Sequence, residues 1–155
     1  MESTKYSKIQ TTILIALRLL IGYHFLFEGM DKLFTPSPGW TSAGFLLQSN
    51  WIFADVFHAL VESSSVLSII DFMNIWGQIL IGLGLILGFY STWAAYAGAL
   101  LLFFYYIAIP PFVNSYTFID KNLFELFAFL VIAVFPTSQI IGLDLLINKW
   151  KKQRS

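Results

Sequence analysis

Residues 11–34 read TTILIALRLLIGYHFLFEGMDKLF, and the fold turns on how this stretch is read. Crossing about 30 Å of hydrocarbon takes roughly 20 mostly apolar residues, and this run supplies them. Arg18 and Glu28 stand inside it all the same. A charge at bilayer depth is expensive, so each is by default a candidate functional group. Lys5 and Lys8 precede the run as they would in a signal peptide. The run is too long for one, carries Arg18, and ends in EGMDKLF with no small-residue cleavage pattern, so it reads as a first span.

Three further stretches have the length and apolarity of spans, which places the four at about 10–34, 72–90, 92–113 and 119–141. The whole chain agrees: of 155 residues, 57% are hydrophobic, 18% aromatic and only 12% charged, with a mean hydropathy of +0.73. The expected fold is therefore all-α, an integral membrane four-helix bundle in a single domain over residues 1–155. Nine Lys plus Arg balance nine Asp plus Glu, so no long-range field draws nucleic acid. Without cysteine there are no disulfides, thiol relays, iron–sulfur ligands or Cys-based zinc sites. Only His24 and His58 could ligate a haem, and no metal site is expected.

Positive charge sets the expected orientation. Lys5 and Lys8 precede the first span, and Lys149, Lys151, Lys152 and Arg154 follow the last, whereas the opposite side has only Lys32 and Lys121. That asymmetry predicts both termini on the cytoplasmic side. The connections are unequal. A minimal turn near Tyr90-Ser91-Thr92 makes spans two and three a tight antiparallel pair. Residues 35–71 form a long outer segment that opens on the breaker cluster Thr35-Pro36-Ser37-Pro38-Gly39. It is too polar to span and too apolar to be a free linker, so it predicts one or two short interfacial helices lying as a lid, with Trp40, Trp51, Phe53, Phe57 and Leu60 facing the membrane. Pro110-Pro111 ends span three, and the loop Asn114 to Asn122 leads into span four.

At about 1.5 Å of rise per residue, polar groups from all four spans fall at one outer level. These are Glu28 and Lys32, Asn74 and Gln78, Tyr105 and Tyr106, and Glu125. His24, Glu28 and Lys32 stand at i, i+4 and i+8 and share one face, with Asp31 beside them. Such a stripe belongs to the bundle interior or an aqueous opening, either as a polar clamp that fixes register or as a ligand site. Arg18 lies deeper and has three readings: pairing with Asp144, snorkelling to the interface, or holding the carbonyl of a ligand. Gly77, Gly84 and Gly88 lie on one helix face, include a GxxxG, and predict close helix packing. His58 with Asp55 and Glu62 reads as a solvated face of the lid.

The stretch RLLIGYHFLFEGMDKLF, with Arg18, Gly22, Phe25, Gly29 and Lys32, resembles the opening signature of the DoxX/DoxD family of small four-helix membrane proteins. The likeness continues through WTSAGFLLQS at 40–49, NIWGQILIGLGLILG at 74–88, YYIAIPPF at 105–112, and KNLFELFAFLVIAVFP with IGLD at 121–144. Within that family the chain looks most like the DoxD-like subunits of thiosulfate:quinone oxidoreductase, and the likeness implies a bacterial or archaeal cytoplasmic membrane. The resemblance implies a membrane subunit that passes electrons from an extracytoplasmic donor, or a partner enzyme docked outside, to a membrane quinone such as menaquinone or ubiquinone. It also leads one to expect an acid early in span two, where this chain has Gln78. An amide can hydrogen-bond a quinone carbonyl but cannot accept its proton, so that part would fall to Glu28 or Glu125.

The residues suit such a role. An apolar slot, donors at the ring carbonyls and a proton route are what quinone reduction needs. Arg18, His24, Lys32, Gln78 and Tyr105 or Tyr106 can donate, Trp76 and Phe124 can flank a ring, and Glu28 and Glu125 can relay protons. Two other readings use the same residues. A noncatalytic membrane anchor would dock an external enzyme through the lid, and a small-solute transporter or channel would use the polar ring as a gate. The glycine face serves packing within one protomer or between two, so a homo-oligomer stays open.

Overall fold

Ser7 starts the first helix. Its hydroxyl accepts from the Gln10 N–H while the Gln10 side chain accepts from the Ser7 N–H, a reciprocal cap that satisfies two donors at once. Helix α1 then runs unbroken over Lys8–Leu33. The computed structural model describes residues 6–36, 39–114 and 118–154, and it continues with α2 (Ala43–Leu46), α3 (Ala54–Glu62), α4 (Ser64–Leu87), α5 (Ser91–Ala108), α6 (Pro111–Asn114), α7 (Lys121–Val134), a 3-10 turn (Thr137–Gln139) and α8 (Leu143–Arg154). Lys5, Ser37 and Pro38 of the breaker cluster, and residues 115–117 of the loop before α7 lie outside the described residues. No strand occurs among those described.

The architecture is the all-α four-helix bundle that the hydropathy implies. It is built from α1, α4, α5 and α7, and α1, α4 and α5 are long and apolar enough to cross a membrane. The tight pairs are α1 with α4 and α5 with α7, while α1 and α7 meet only sparingly. Phe25, Ile81, Leu85, Ala95, Leu102, Phe129 and Ile132 form the core between the pairs. The Phe25 and Phe129 rings meet edge to face at 4.6 Å, which joins α1 to α7 where the two helices do approach.

The α1–α4 crossing rests on small residues, though not on the predicted set. A Cβ on Gly82 would lie 2.5 Å from the Leu26 backbone nitrogen, so the backbones touch there and only glycine fits. Gly22 and Gly29 receive Leu85 and Ile79 from the other side of the same contact. Gly77 faces open space within the protomer, and Gly88 serves a turn instead: at φ +62° it ends α4 in the left-handed conformation that glycine adopts without penalty.

Two boundaries and one added helix differ from the hydropathy reading. Helix α4 starts at Ser64 rather than near 72, which shortens the outer lid to the segment carrying α2 and α3. Helix α7 stops at Val134 rather than near 141, because Pro136 has no N–H to donate and disfavours helical geometry at Phe135. Its 14 residues rise only about 21 Å, less than the hydrocarbon thickness, and the 3-10 turn follows it. Beyond it, α8 is an additional helix that spacing of the spans did not predict.

Candidate functional site

Lys32 ends α1, and its position on the face shared with His24 and Glu28 turns its amine inward. Lys32 Nζ donates to Gln78 Oε1 at 2.6 Å and to Asn74 Oδ1 at 3.2 Å, and it stands 3.5 Å from the Tyr105 hydroxyl. Asn74 Nδ2 in turn donates to the Tyr105 oxygen at 2.5 Å. Asn74 and Gln78, one turn apart on α4, are both buried. Three spans thus deliver amine, two amides and a phenol to one point, as expected for polar groups that share a level and must avoid lipid.

The outer segment closes over this point. The amine sits 4.8 Å from the centre of the Trp40 ring and 5.8 Å from that of Tyr105, within cation–π range. Phe45 of α2 packs on Tyr105 at 5.3 Å. Asp71 near the start of the membrane-facing part of α4 fixes the segment, since its Oδ1 accepts from both the N–H and the hydroxyl of Ser42 at 2.8 and 2.5 Å. Farther along, Trp51 packs edge to face on Phe112, and His58 Nε2 stands 3.0 Å from the Ser49 carbonyl oxygen. The predicted lid is a pinned cover whose aromatic ring meets the amine.

Glu125 of α7 does not join the Lys32 cluster. Its carboxylate lies 3.4 Å from His24 Nε2 and 3.7 Å from Lys121 Nζ, so it ties α7 to α1 two helical turns away from Lys32. Glu28 stands between the two groups along α1 and acts through space on both Lys32 and Tyr105. Neither Glu28 nor Asp31 comes within ion-pair distance of the amine. Trp76 and Phe124 belong to the outside: Trp76 is 41% exposed and packs beside Phe72, and Phe124 is 69% exposed. A residue two positions from Asn74 and from Gln78 on a helix points about 200° away from each, which is why Trp76 cannot flank a group held by them. The Tyr106 hydroxyl donates to the Phe118 carbonyl.

Arg18 builds a second buried polar centre at the opposite end of the bundle. It is only 2% exposed, so it does not snorkel. Nη1 donates to Thr137 Oγ1 at 3.2 Å and Nη2 to the Ile141 carbonyl at 2.9 Å, while Nε has no partner among the described residues. Asp144 acts on it through space but forms no ion pair with it. That carboxylate caps α5 instead, accepting from the N–H groups of Tyr90 and Ser91 at 2.8 and 3.3 Å. The cap matters because Tyr90 holds φ +47°, a strained conformation for a bulky residue. These partners could not be read from spacing: they exist because Pro136 breaks the fourth helix and folds the chain back onto Arg18.

No curated protein and no solved structure matches this chain. A family model does, described as DoxX and matching residues 13–111. The matched stretch contains Lys32, Trp40, Asp71, Asn74, Gln78 and Tyr105, the whole of the lidded cluster, and ends before Glu125 and the partners of Arg18. With four packed apolar helices and a match over most of its length, this chain is a membrane protein belonging to the DoxX family.

Proposed function

We propose that the Lys32 cluster is the head-group site for a membrane quinone, and that the protein is the quinone-interacting component of an oxidoreductase system. One observation carries the reading: a half-buried amine, two buried amides and a phenol converge beneath Trp40 and Phe45. A quinone head group is a flat ring with acceptor oxygens. Lys32, Gln78 and Tyr105 offer donors to such oxygens, and the aromatic rings of the cover offer flat apolar surface. This composition, a few fixed polar groups among apolar ones, is that of small-molecule sites generally.

When bound, the quinone would take up two electrons and two protons. The chain's own part is to hold the ring, exclude water and move protons. Glu28, one turn from Lys32, and His24 with Glu125 below it form the stripe along α1 through which protons would reach the site. Electrons come from a donor on the Lys32 side, either a reduced small molecule or a docked partner enzyme. By the positive-inside asymmetry we place that side outside a cytoplasmic membrane and both termini in the cytoplasm. The likeness to DoxD-like subunits of thiosulfate:quinone oxidoreductase belongs to the same proposal.

Purification in mild detergent, followed by extraction and mass-spectrometric counting of quinone against an unrelated four-span protein, tests this. Near-stoichiometric quinone in the wild type, lost in Lys32→Met, supports it; quinone at the control level in the wild type sinks it. The exposed apolar residues Leu47, Ile52, Phe53 and Val56 on the cover favour a second reading, an anchor that docks an external enzyme. Under that reading Val56→Ser would abolish capture of the partner while Lys32→Met would leave it intact.

A further inference from the structure

Helix α8 starts level with the ends of two spans and has little of its own to pack on. The Asp144 N–H donates to the Gly88 carbonyl at 2.9 Å, and the Asp144 carboxylate accepts from the Tyr90 and Ser91 N–H groups, so the first turn of α8 is fixed beside the turn between α4 and α5. The start of α1 lies at the same end, since the Tyr6 ring meets that of Phe135, just past α7, at 6.1 Å. This is where the spans leave the hydrocarbon, and Trp93 in the first turn of α5 is exposed there. From that level α8 runs for 12 residues, about 18 Å, which is too short to cross a bilayer, and it packs mainly on the 3-10 turn.

The residues of α8 divide by helical phase. Leu143, Leu146 and Trp150 stand at i, i+3 and i+7, one face of a helix, and all three are exposed, Leu146 at 56% and Trp150 at 67%. Asn148 lies on the opposite side and Lys149 on the flank, both exposed, and the sequence continues with Lys151, Lys152 and Arg154. The acid of α8, Asp144, is engaged at the α5 cap, and no carboxylate pairs with Lys149 among the described residues. We propose that α8 is an amphipathic helix lying in the membrane interface and that an anionic phospholipid surface is its occupant, with Leu143, Leu146 and Trp150 sunk to the acyl boundary and the basic run held by the phosphates. An acidic protein would match the charge alone. The bilayer also matches the level at which α8 starts and the apolar face it leaves open. The lipid surface thereby fixes the segment after Pro136, which carries the partners of Arg18, and nothing in this depends on a quinone at the other end of the bundle.

The chain has no cysteine, so a single spin label can be placed by substitution. Leu146→Cys and Asn148→Cys, each labelled in the full-length protein, are compared in nanodiscs of phosphatidylcholine alone and of phosphatidylcholine with phosphatidylglycerol, by the label's access to oxygen and to a water-soluble nickel chelate. In the anionic nanodiscs the label at 146 should favour oxygen and the label at 148 nickel. The preference at 146 should fade in phosphatidylcholine alone. Each basic residue near an anionic surface is worth about fivefold in partitioning, so Lys149→Gln, Lys151→Gln and Lys152→Gln together should weaken the hold by about a hundredfold and return the label at 146 to water. Because α8 packs mainly on the 3-10 turn, that triple variant should keep the wild-type melting temperature in phosphatidylcholine, which separates lost lipid contact from a misfolded bundle. Nickel access at both positions in the anionic nanodiscs would overturn the proposal and leave the basic run to an acidic protein. An oxygen preference at 146 that is equal in both lipids, or that survives the triple variant, would refute an anionic lipid as the occupant. Equal oxygen access at 146 and 148 would refute the assigned face.

Discussion

Helix α1 turns two cations inward, one on each side of its glycine crossing with α4, Arg18 fully buried and Lys32 half-buried, and the two are treated differently. Arg18 spends two of its donors on atoms of its own chain, the Thr137 hydroxyl and the Ile141 carbonyl, in a segment far along the sequence. Lys32 instead meets the side-chain oxygens of Asn74, Gln78 and Tyr105, beneath a cover that reaches it from the segment between α1 and α4. Arg18 ties α1 to the segment after Pro136, although its buried Nε stays without a partner among the described residues. On our proposal the Lys32 end binds and the Arg18 end fastens the fold.

The sharpest way to break this comparison is to remove each cation. Arg18→Ala would leave the Thr137 hydroxyl and Ile141 carbonyl buried without their donor and open a cavity, for an expected loss of about 3–5 kcal/mol in stability. Lys32→Met also takes the donor from the Asn74 and Gln78 oxygens, but it relieves the cost of a half-buried charge and leaves no cavity, so the loss should be smaller, about 1–2 kcal/mol. Reversible unfolding in mixed micelles measures both. The comparison fails if the two losses are equal, or if Lys32→Met is the more damaging.

A smaller effect is expected where the Arg18 centre meets the α4–α5 turn. Gly88→Ala would force a Cβ to 2.8 Å from the Gly142 Cα and impose a side chain on φ +62°, for about 1–2 kcal/mol from the backbone alone. Asp144→Asn keeps the shape of the α5 cap but loses its charge at the helix N-terminus, about 0.5–1 kcal/mol. Both losses should appear in melting curves and leave ligand affinity at the Lys32 end unchanged. Altered affinity in either variant would mean that the two centres are coupled through the bundle.

Much of the Lys32 centre was legible because depth and helical phase are readable in a sequence. The i, i+4, i+8 stripe placed Lys32 inward, and counting rises put Asn74, Gln78 and Tyr105 at its level. Phase also shows where the reading failed: Trp76 lies at the right depth but on the opposite face of α4. Trp40 meets Lys32 through a loop, and loop contacts leave no periodic signal. At the other end, the partners of Arg18 were hidden by the apparent continuity of the fourth span. Pro136 was the available sign that the helix would stop. Asp144 was near enough to Arg18 to suggest an ion pair, but a carboxylate beside two free N–H groups at the start of α5 has a closer claim on it than a guanidinium across the bundle.

The smallest expected effect concerns the cover, and it distinguishes a fixed lid from a moving one. Ser42 gives Asp71 two hydrogen bonds, and Ser42→Ala removes the one from the hydroxyl while the backbone N–H keeps the other. The lost bond corresponds to about 1 kcal/mol. Global stability should barely move, because the cover lies outside the core of Phe25, Leu85 and Phe129. If Trp40 must lift for a head group to leave, release of a bound naphthoquinone followed by stopped-flow should quicken by about fivefold, the factor that ~1 kcal/mol gives. Asp71→Asn, which weakens both bonds, should quicken it further. An unchanged release rate in both variants would mean that the ring contact of Phe45 on Tyr105 holds the cover by itself, or that the ligand leaves sideways between α1 and α7, where the two helices meet least.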